Sequence, residues 1–159
     1  MGHLFIARHG DYNMDGRLSG RGYEQMKVLG RSIKSKIGGD AVKLISSTAQ
    51  RALDSSQVLA SELGLKEFSH LPYLWADTYA PEESYYWERN INKLIKIINT
   101  EKDNTDGLVM MTHTEIVEDL SDFLLNKKLG IKRDFSIKPG CAFYLNLENG
   151  DYQIIPPND

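Results

Sequence analysis

A chain of 159 residues, 41% hydrophobic and 26% charged, has the composition of an ordinary soluble globular protein and enough length for one substantial core, so a single domain over 1–159 is expected. The net charge of −3 gives no general pull toward nucleic acid or anionic lipid; neither is expected as a partner, and any anion site must be local. The single cysteine, Cys141, excludes an internal disulfide and a cysteine-based zinc cluster, no apolar run reaches membrane-spanning length, and nothing reads as a signal peptide, which makes the cytoplasm the expected address.

Leu4-Phe5-Ile6-Ala7 reads as a strand buried on both faces that stops at Arg8-His9-Gly10. A polar connection, Asp11 to Leu18, leads to a helix from Ser19 or Gly20, with Met26, Leu29, Ile33 and Ile37 at spacings of three and four and Gly38-Gly39 at its end. Val42 to Ile45 is a second short strand. It runs into Ser46-Ser47-Thr48-Ala49-Gln50-Arg51, where Ser47 and Gln50 have capping-box spacing, and then into a helix carrying Leu53, Val58, Leu59 and Leu63 that stops at Gly64. Glu67 to Leu71 is a candidate third strand and Leu74 to Glu83 a loop. One helix is expected from about Ser84, with Trp87, Ile91, Leu94, Ile95 and Ile98 on its buried face.

Asp103 to Gly107 turns the chain into Leu108-Val109-Met110-Met111-Thr112, a buried strand closing on His113. The next helix places Ile116, Val117, Leu120, Phe123 and Leu124 inside, with its acids early, its lysines late and Gly130 at its end, an order that suits the helix dipole. Ala142 to Leu147 and Tyr152 to Ile155, around Asn149-Gly150, read as a hairpin. Alternation of strands and helices predicts an α/β fold of three layers, α/β/α, with a mostly parallel central sheet.

In a parallel sheet the junctions after the first, second and 108–112 strands share one edge. Arg8, His9, Arg51 and His113 can then converge there, where open α/β sheets keep their ligands. Two guanidiniums, two imidazoles and several helix N-termini suit a phosphoryl group: Arg offers bidentate donors, helix starts add N–H groups, and His can act as donor or nucleophile. A P-loop and a nucleophile elbow are absent, and His113-x-Glu115 lacks the cysteine pair of a zinc deaminase, which leaves phosphoryl transfer through histidine. His3 and His70 have no motif context and are read as structural, and Tyr85-Tyr86-Trp87 as core and pocket wall.

Four of these pieces resemble the histidine phosphatase superfamily, also called phosphoglycerate-mutase-like. They are Arg8-His9-Gly10, Leu18-Ser19-x-x-Gly22-x-x-Gln25, Ser46-Ser47-x-x-x-Arg51-Ala52 and Thr112-His113, in order and spacing from Leu4 to about Leu125. The resemblance implies that His9 is the nucleophile and becomes phosphorylated, while Arg8, Arg51 and His113 hold the phosphoryl oxygens; a protonated His113 would help neutralise charge in the transition state. Gly10, Asp11 and Thr114 are the neighbouring candidates for substrate contact, and no metal or cofactor is implied.

The chain also departs from the family pattern. Tyr12 stands where Ser or Thr is common, Thr114 replaces the usual glycine, and Ala76 falls where larger members carry a Glu general acid. Asp77, Glu82 and Glu83 are the acids close enough in sequence to substitute. An alkoxide leaving from an ester needs a proton, whereas an imidazole leaving from phosphohistidine needs far less help. With the short length, this resembles the small SixA-type phosphohistidine phosphatases and implies a phosphorylated protein as partner. The alternatives are a phosphomonoesterase for a small phosphorylated substrate with a loop acid, or a phosphate-binding module without turnover. Mutase chemistry is not expected, because the chain has little material for a lid.

Overall fold

A strand that is apolar at successive positions must be covered on both faces, and the two longest buried strands of this chain set the centre of the fold. The structure, a computed structural model, describes residues 1–157; Asn158 and Asp159, which close the expected 1–159 domain, lie outside the described residues. Strands β1 (His3–Arg8), β2 (Val42–Ser46), β3 (Ser69–His70), β4 (Gly107–Thr112), β5 (Ala142–Asn146) and β6 (Tyr152–Ile155) form one sheet in the order β3-β2-β4-β1-β5-β6. β3, β2, β4 and β1 run parallel, while β5 is antiparallel to both β1 and β6.

Helices α1 (Gly20–Ile37) and α2 (Gln50–Leu63) cover one face, and α3 (Tyr85–Glu88), α4 (Ile91–Glu101) and α5 (Thr114–Leu129) the other. On β1, Phe5 and Ala7 pack with Met26, Leu29, Ile33 and Leu59, while Leu4 and Ile6 pack with Leu94, Ile116, Val117 and Leu120. The expected three-layer α/β/α sandwich is present. Among the described residues no helix is long and apolar enough to cross a membrane.

Several local expectations change. The third strand is only Ser69–His70. The single helix expected from about Ser84 is two, because Arg89 adopts a left-handed conformation (φ 48°) and Asn90 restarts the helix by accepting from the Asn92 N–H. Asn competes for helical backbone donors and so favours caps over helix interiors. The break also turns Trp87 outward, 55% exposed, with its indole N–H donated to the Ala80 carbonyl rather than packed in the core. Phe123 is half-buried, not interior.

The capping box at Ser47 and Gln50 does not form. Ala49 occupies the cap position of α2 without a side-chain bond, and Gln50 reaches Asp54 instead. The structural reading of His3 fits its contacts, since its ring joins the Tyr144 hydroxyl (2.9 Å) to Asp40 (3.0 Å) across β1, β5 and the α1–β2 turn.

The turn after β1 is held by close backbone packing against the start of α1. Ser19 caps that helix, accepting from the Gly22 N–H (3.0 Å) and donating to the Asp11 carbonyl (3.0 Å). A Cβ on Gly22 would fall 2.1 Å from the Asp11 carbonyl oxygen, so backbone would have to move. A Cβ on Gly20, two residues earlier, meets open space. Gly22→Ala is therefore expected to destabilise the fold by about 1–3 kcal/mol through overpacking, while Gly20→Ala leaves stability unchanged or slightly raised. Urea denaturation of the two variants checks this; equal midpoints would remove the close packing from the account.

Candidate active site

Register brings the polar residues together. In the parallel pair β1·β4, Arg8 lies opposite Thr112, and the His9 N–H donates to the Thr112 carbonyl (3.2 Å). His9 and His113, each one residue past its strand, stand side by side with ring centroids 5.1 Å apart. On the other side of β4, Ser46 pairs with Met111, and the Ser47 N–H donates to the Met111 carbonyl (2.8 Å). That sets Ser47 against His113 and delivers Arg51, in the first turn of α2, between the two rings.

Donor and acceptor roles follow from what each neighbour can do. His9 Nδ1 lies 2.9 Å from the Gly10 carbonyl, which only accepts, so Nδ1 carries the proton and Nε2 keeps its lone pair. Arg51 Nε donates to that Nε2 (3.2 Å) and Arg51 Nη2 to His113 Nδ1 (3.2 Å). His113 then has its proton on Nε2, which donates to Ser47 Oγ (2.8 Å). Both rings are buried: His9 is 5% exposed and His113 2%. Burial, with Arg51 and Arg8 nearby and the Gly10 carbonyl opposing, lowers the His9 pKa to about 4. Burial, His9 and Arg51 hold His113 well below its ordinary value. In the ligand-free site His113 is therefore held as a neutral imidazole, because a cation there would sit desolvated beside a guanidinium.

Arg51 is the hub. Its Nη2 also contacts the Asp77 carboxylate, and its guanidinium lies 4.8 Å over the Tyr12 ring. Tyr12, in the place of the family's Ser or Thr, also meets His9 edge-on (5.4 Å). Arg8 donates from Nη1 to the Ile137 carbonyl (2.9 Å), and its buried Nε has no hydrogen-bond partner among the described residues.

The remaining candidates fall differently. The Gly10 N–H is spent on Ser55 Oγ (3.1 Å), and Ser55 in turn donates to the Arg51 carbonyl. Asp11 is tied by backbone and carboxylate to Gln25 (2.9 Å each), with Arg21 3.2 Å away. Thr114, half-buried, opens α5. Of the three loop acids only Asp77 reaches the cluster; Glu82 and Glu83 are exposed and make no ion pair among the described residues. Ser47 is the residue that sequence reading assigned to the wrong task. Its adjacency to His113 follows only once β2 is placed beside β4. Among the described residues no group of three or more His, Cys, Asp or Glu could hold a metal ion.

No protein-family model and no curated protein matches the sequence. Solved structures do match. The protein histidine phosphatase SixA complexed with tungstate superposes with a TM-score of 0.69 at 15% identity, over 96% of this chain and 93% of that one. The alpha-ribazole phosphatase from Shigella flexneri gives 0.62 at 16%, over 99% and 96% of the two chains. A phosphoserine phosphatase mutant from Entamoeba histolytica in complex with phosphoserine gives 0.61 at 16%, over 98% and 95%. The chain shares the fold of these phosphatases. At such identities the likeness establishes the phosphoglycerate-mutase-like architecture and leaves activity to be argued from the residues.

The buried histidine pair carries a pH signature. The unfolded chain protonates His9 near its ordinary 6.5, the folded chain only near 4, so between those values the unfolded state binds more protons and stability falls as pH falls. The His9 pKa of about 4 corresponds to a loss on the order of 3 kcal/mol, to which His113 adds in the same direction. NMR titration of the imidazoles should give a His9 midpoint near 4, and His9→Gln should lose less stability on the acid side in urea melts. A midpoint near the ordinary histidine value would contradict the buried, cation-flanked setting.

Proposed function

We propose that the chain is a phosphatase that hydrolyses a phosphoryl group through a phosphohistidine intermediate on His9, acting on phosphohistidine borne by a protein. The observation that carries this reading is the buried His9 ring with its Nδ1 proton fixed on the Gly10 carbonyl and its Nε2 lone pair facing Arg51 and His113. An imidazole so held is a nucleophile whose direction is set before substrate arrives.

In the first step His9 Nε2 attacks phosphorus as the bond from phosphorus to the departing group breaks. The departing imidazole keeps the bonding pair and leaves neutral, because its other ring nitrogen takes a proton from water beforehand. Arg51 moves its donors from His9 Nε2 and Asp77 to the phosphoryl oxygens, with Arg8 and His113 completing the cradle. In the second step water attacks phosphorus, the bond to Nε2 breaks, and inorganic phosphate and the free ring are regenerated. A phosphoryl dianion between Arg8, Arg51 and the two rings supplies countercharge that raises both imidazole pKa values, so His113 gains a proton with substrate rather than before it.

Substrate choice rests on the leaving group. Burial pushes the Asp77 carboxyl up, but the Trp75 indole N–H, near it without standard hydrogen-bond geometry, and the Arg51 guanidinium and Tyr79 N–H outweigh this. Asp77 is therefore held below the usual carboxylate range and is a poor proton donor at neutral pH. Glu82 and Glu83 point to solvent. A site without a poised acid suits phosphohistidine, and the likeness to SixA supports the same direction. The second reading, a small-ester phosphatase with Asp77 as acid, is favoured by the contact of Asp77 with Arg51 alone.

Purified protein offered a phosphohistidine protein and p-nitrophenyl phosphate, each with and without chelator, is expected to turn over the phosphohistidine faster and to ignore the chelator. His9→Ala should remove the acid-labile phosphoenzyme and lower turnover by at least about a thousandfold. Label persisting on another residue, or phosphate binding without turnover of either substrate, would overturn the reading.

A further inference from the structure

We propose that Asp77 is a built-in competitor for Arg51: its carboxylate holds the guanidinium donor that a phosphoryl oxygen needs, and so sets how tightly the site retains phosphate. The inference rests on the phosphatase reading, in which Arg51 grips the phosphoryl group.

Donor accounting carries it. Arg51 has five N–H groups. The single Nε–H goes to His9 Nε2, and the two on Nη2 go to Asp77 Oδ2 and His113 Nδ1. Only Nη1 makes no hydrogen bond among the described residues. The donors of the Nε–Nη2 edge, one of the forks that fit a phosphate bidentately, are thus all engaged, and a phosphoryl group that takes Nη2 competes with Asp77 for it. Turning the Nε–H from His9 Nε2 to a phosphoryl oxygen uncovers the His9 lone pair.

Asp77 is built for this task rather than wandering into it. One carboxylate oxygen accepts the Tyr79 N–H (2.8 Å) while the other faces Arg51, and the Asp77 carbonyl accepts the Ala80 N–H (3.1 Å), so the loop fixes the group. The side chains in contact are both largely covered, 14% exposed for Arg51 and 23% for Asp77, which lets the pair act in reduced dielectric. The other nearby acid, Asp11, is committed to Gln25 and Arg21. Asp77 therefore supplies the negative charge in direct contact with Arg51. It offsets the site's affinity for anions, a useful property where the product, inorganic phosphate, must leave for the next turnover.

This role differs from that of a proton donor. A competitor alters affinity for phosphate itself, whatever the leaving group; an acid alters turnover of poor leaving groups and leaves phosphate affinity alone. Asp77→Asn keeps the acceptor for the Tyr79 N–H and removes the charge. By titration calorimetry with inorganic phosphate its Kd is expected to fall about tenfold, the value of one charge-assisted contact no longer opposed. KM should fall for both p-nitrophenyl phosphate and the phosphohistidine protein, with kcat lowered alike for the two as product release slows. Asp77→Ser, which retains an oxygen for the loop, should shift Kd in the same direction and serves if the amide variant folds poorly. Unchanged or weaker phosphate binding, or a kcat loss confined to substrates with poor leaving groups, overturns the proposal. Arg51→Ala separates the two failures. If it leaves phosphate affinity intact, the phosphatase reading falls; if it weakens binding while Asp77→Asn does not tighten it, the competitor role alone falls.

Discussion

The parallel ladder between β1 and β4 is the constraint from which the site follows. With Arg8 opposite Thr112, the strands end level, and the residues just beyond them are two histidines. A slip of one residue would turn every side chain of a strand to the opposite layer, sending Phe5 and Ala7 to the α4–α5 side and Leu4 and Ile6 to the α1–α2 side. Both layers are fully packed around these strands, so the core that stabilises the fold also fixes the distance between His9 and His113. β2, paired on the far side of β4, extends the same edge and brings Ser47 and Arg51 to it.

The edge so built is electrostatically one-sided. Two guanidiniums and two imidazoles meet where water is largely excluded, and the imidazoles respond by staying neutral. Asp77 balances part of that charge; Arg51, which only donates, leaves the His113 proton on Nε2, and the Gly10 carbonyl, which only accepts, fixes that of His9. Every ring proton is thereby assigned by a neighbour with only one option. The two rings are thus held in fixed orientation, while the engaged donors of Arg51 are the groups that must turn to an arriving anion.

Much of this was legible in the sequence, for a reason specific to the fold. Strands buried on both faces are nearly continuous apolar runs, so their ends are sharp, and Arg8-His9-Gly10 and Thr112-His113 mark those ends plainly. Element order and layers follow from alternating strands and helices. What was not legible depended on neighbours distant in sequence. Ser47 has the spacing of a cap, and only the β2·β4 pairing turns it toward His113. Asp77, Glu82 and Glu83 are equivalent as letters, and the course of the loop after the 3-10 turn at Pro72–Leu74 separates them. The apolar positions from Trp87 to Ile98 keep helical spacing across Asn90, so periodicity alone passed over a break made by capping chemistry. The lowered pKa of the ligand-free His113 was not legible either, since burial beside Arg51 is a property of the folded site.

The central claim is that His9, Arg8, Arg51 and His113 act on one phosphoryl group. Its most direct test is a crystal structure with orthovanadate bound. The account predicts vanadium bonded to His9 Nε2, equatorial oxygens within hydrogen-bond distance of Arg8, Arg51 and His113, and Arg51 released from Asp77. Vanadate bound elsewhere, with Arg51 still joining His9 to Asp77, would contradict it.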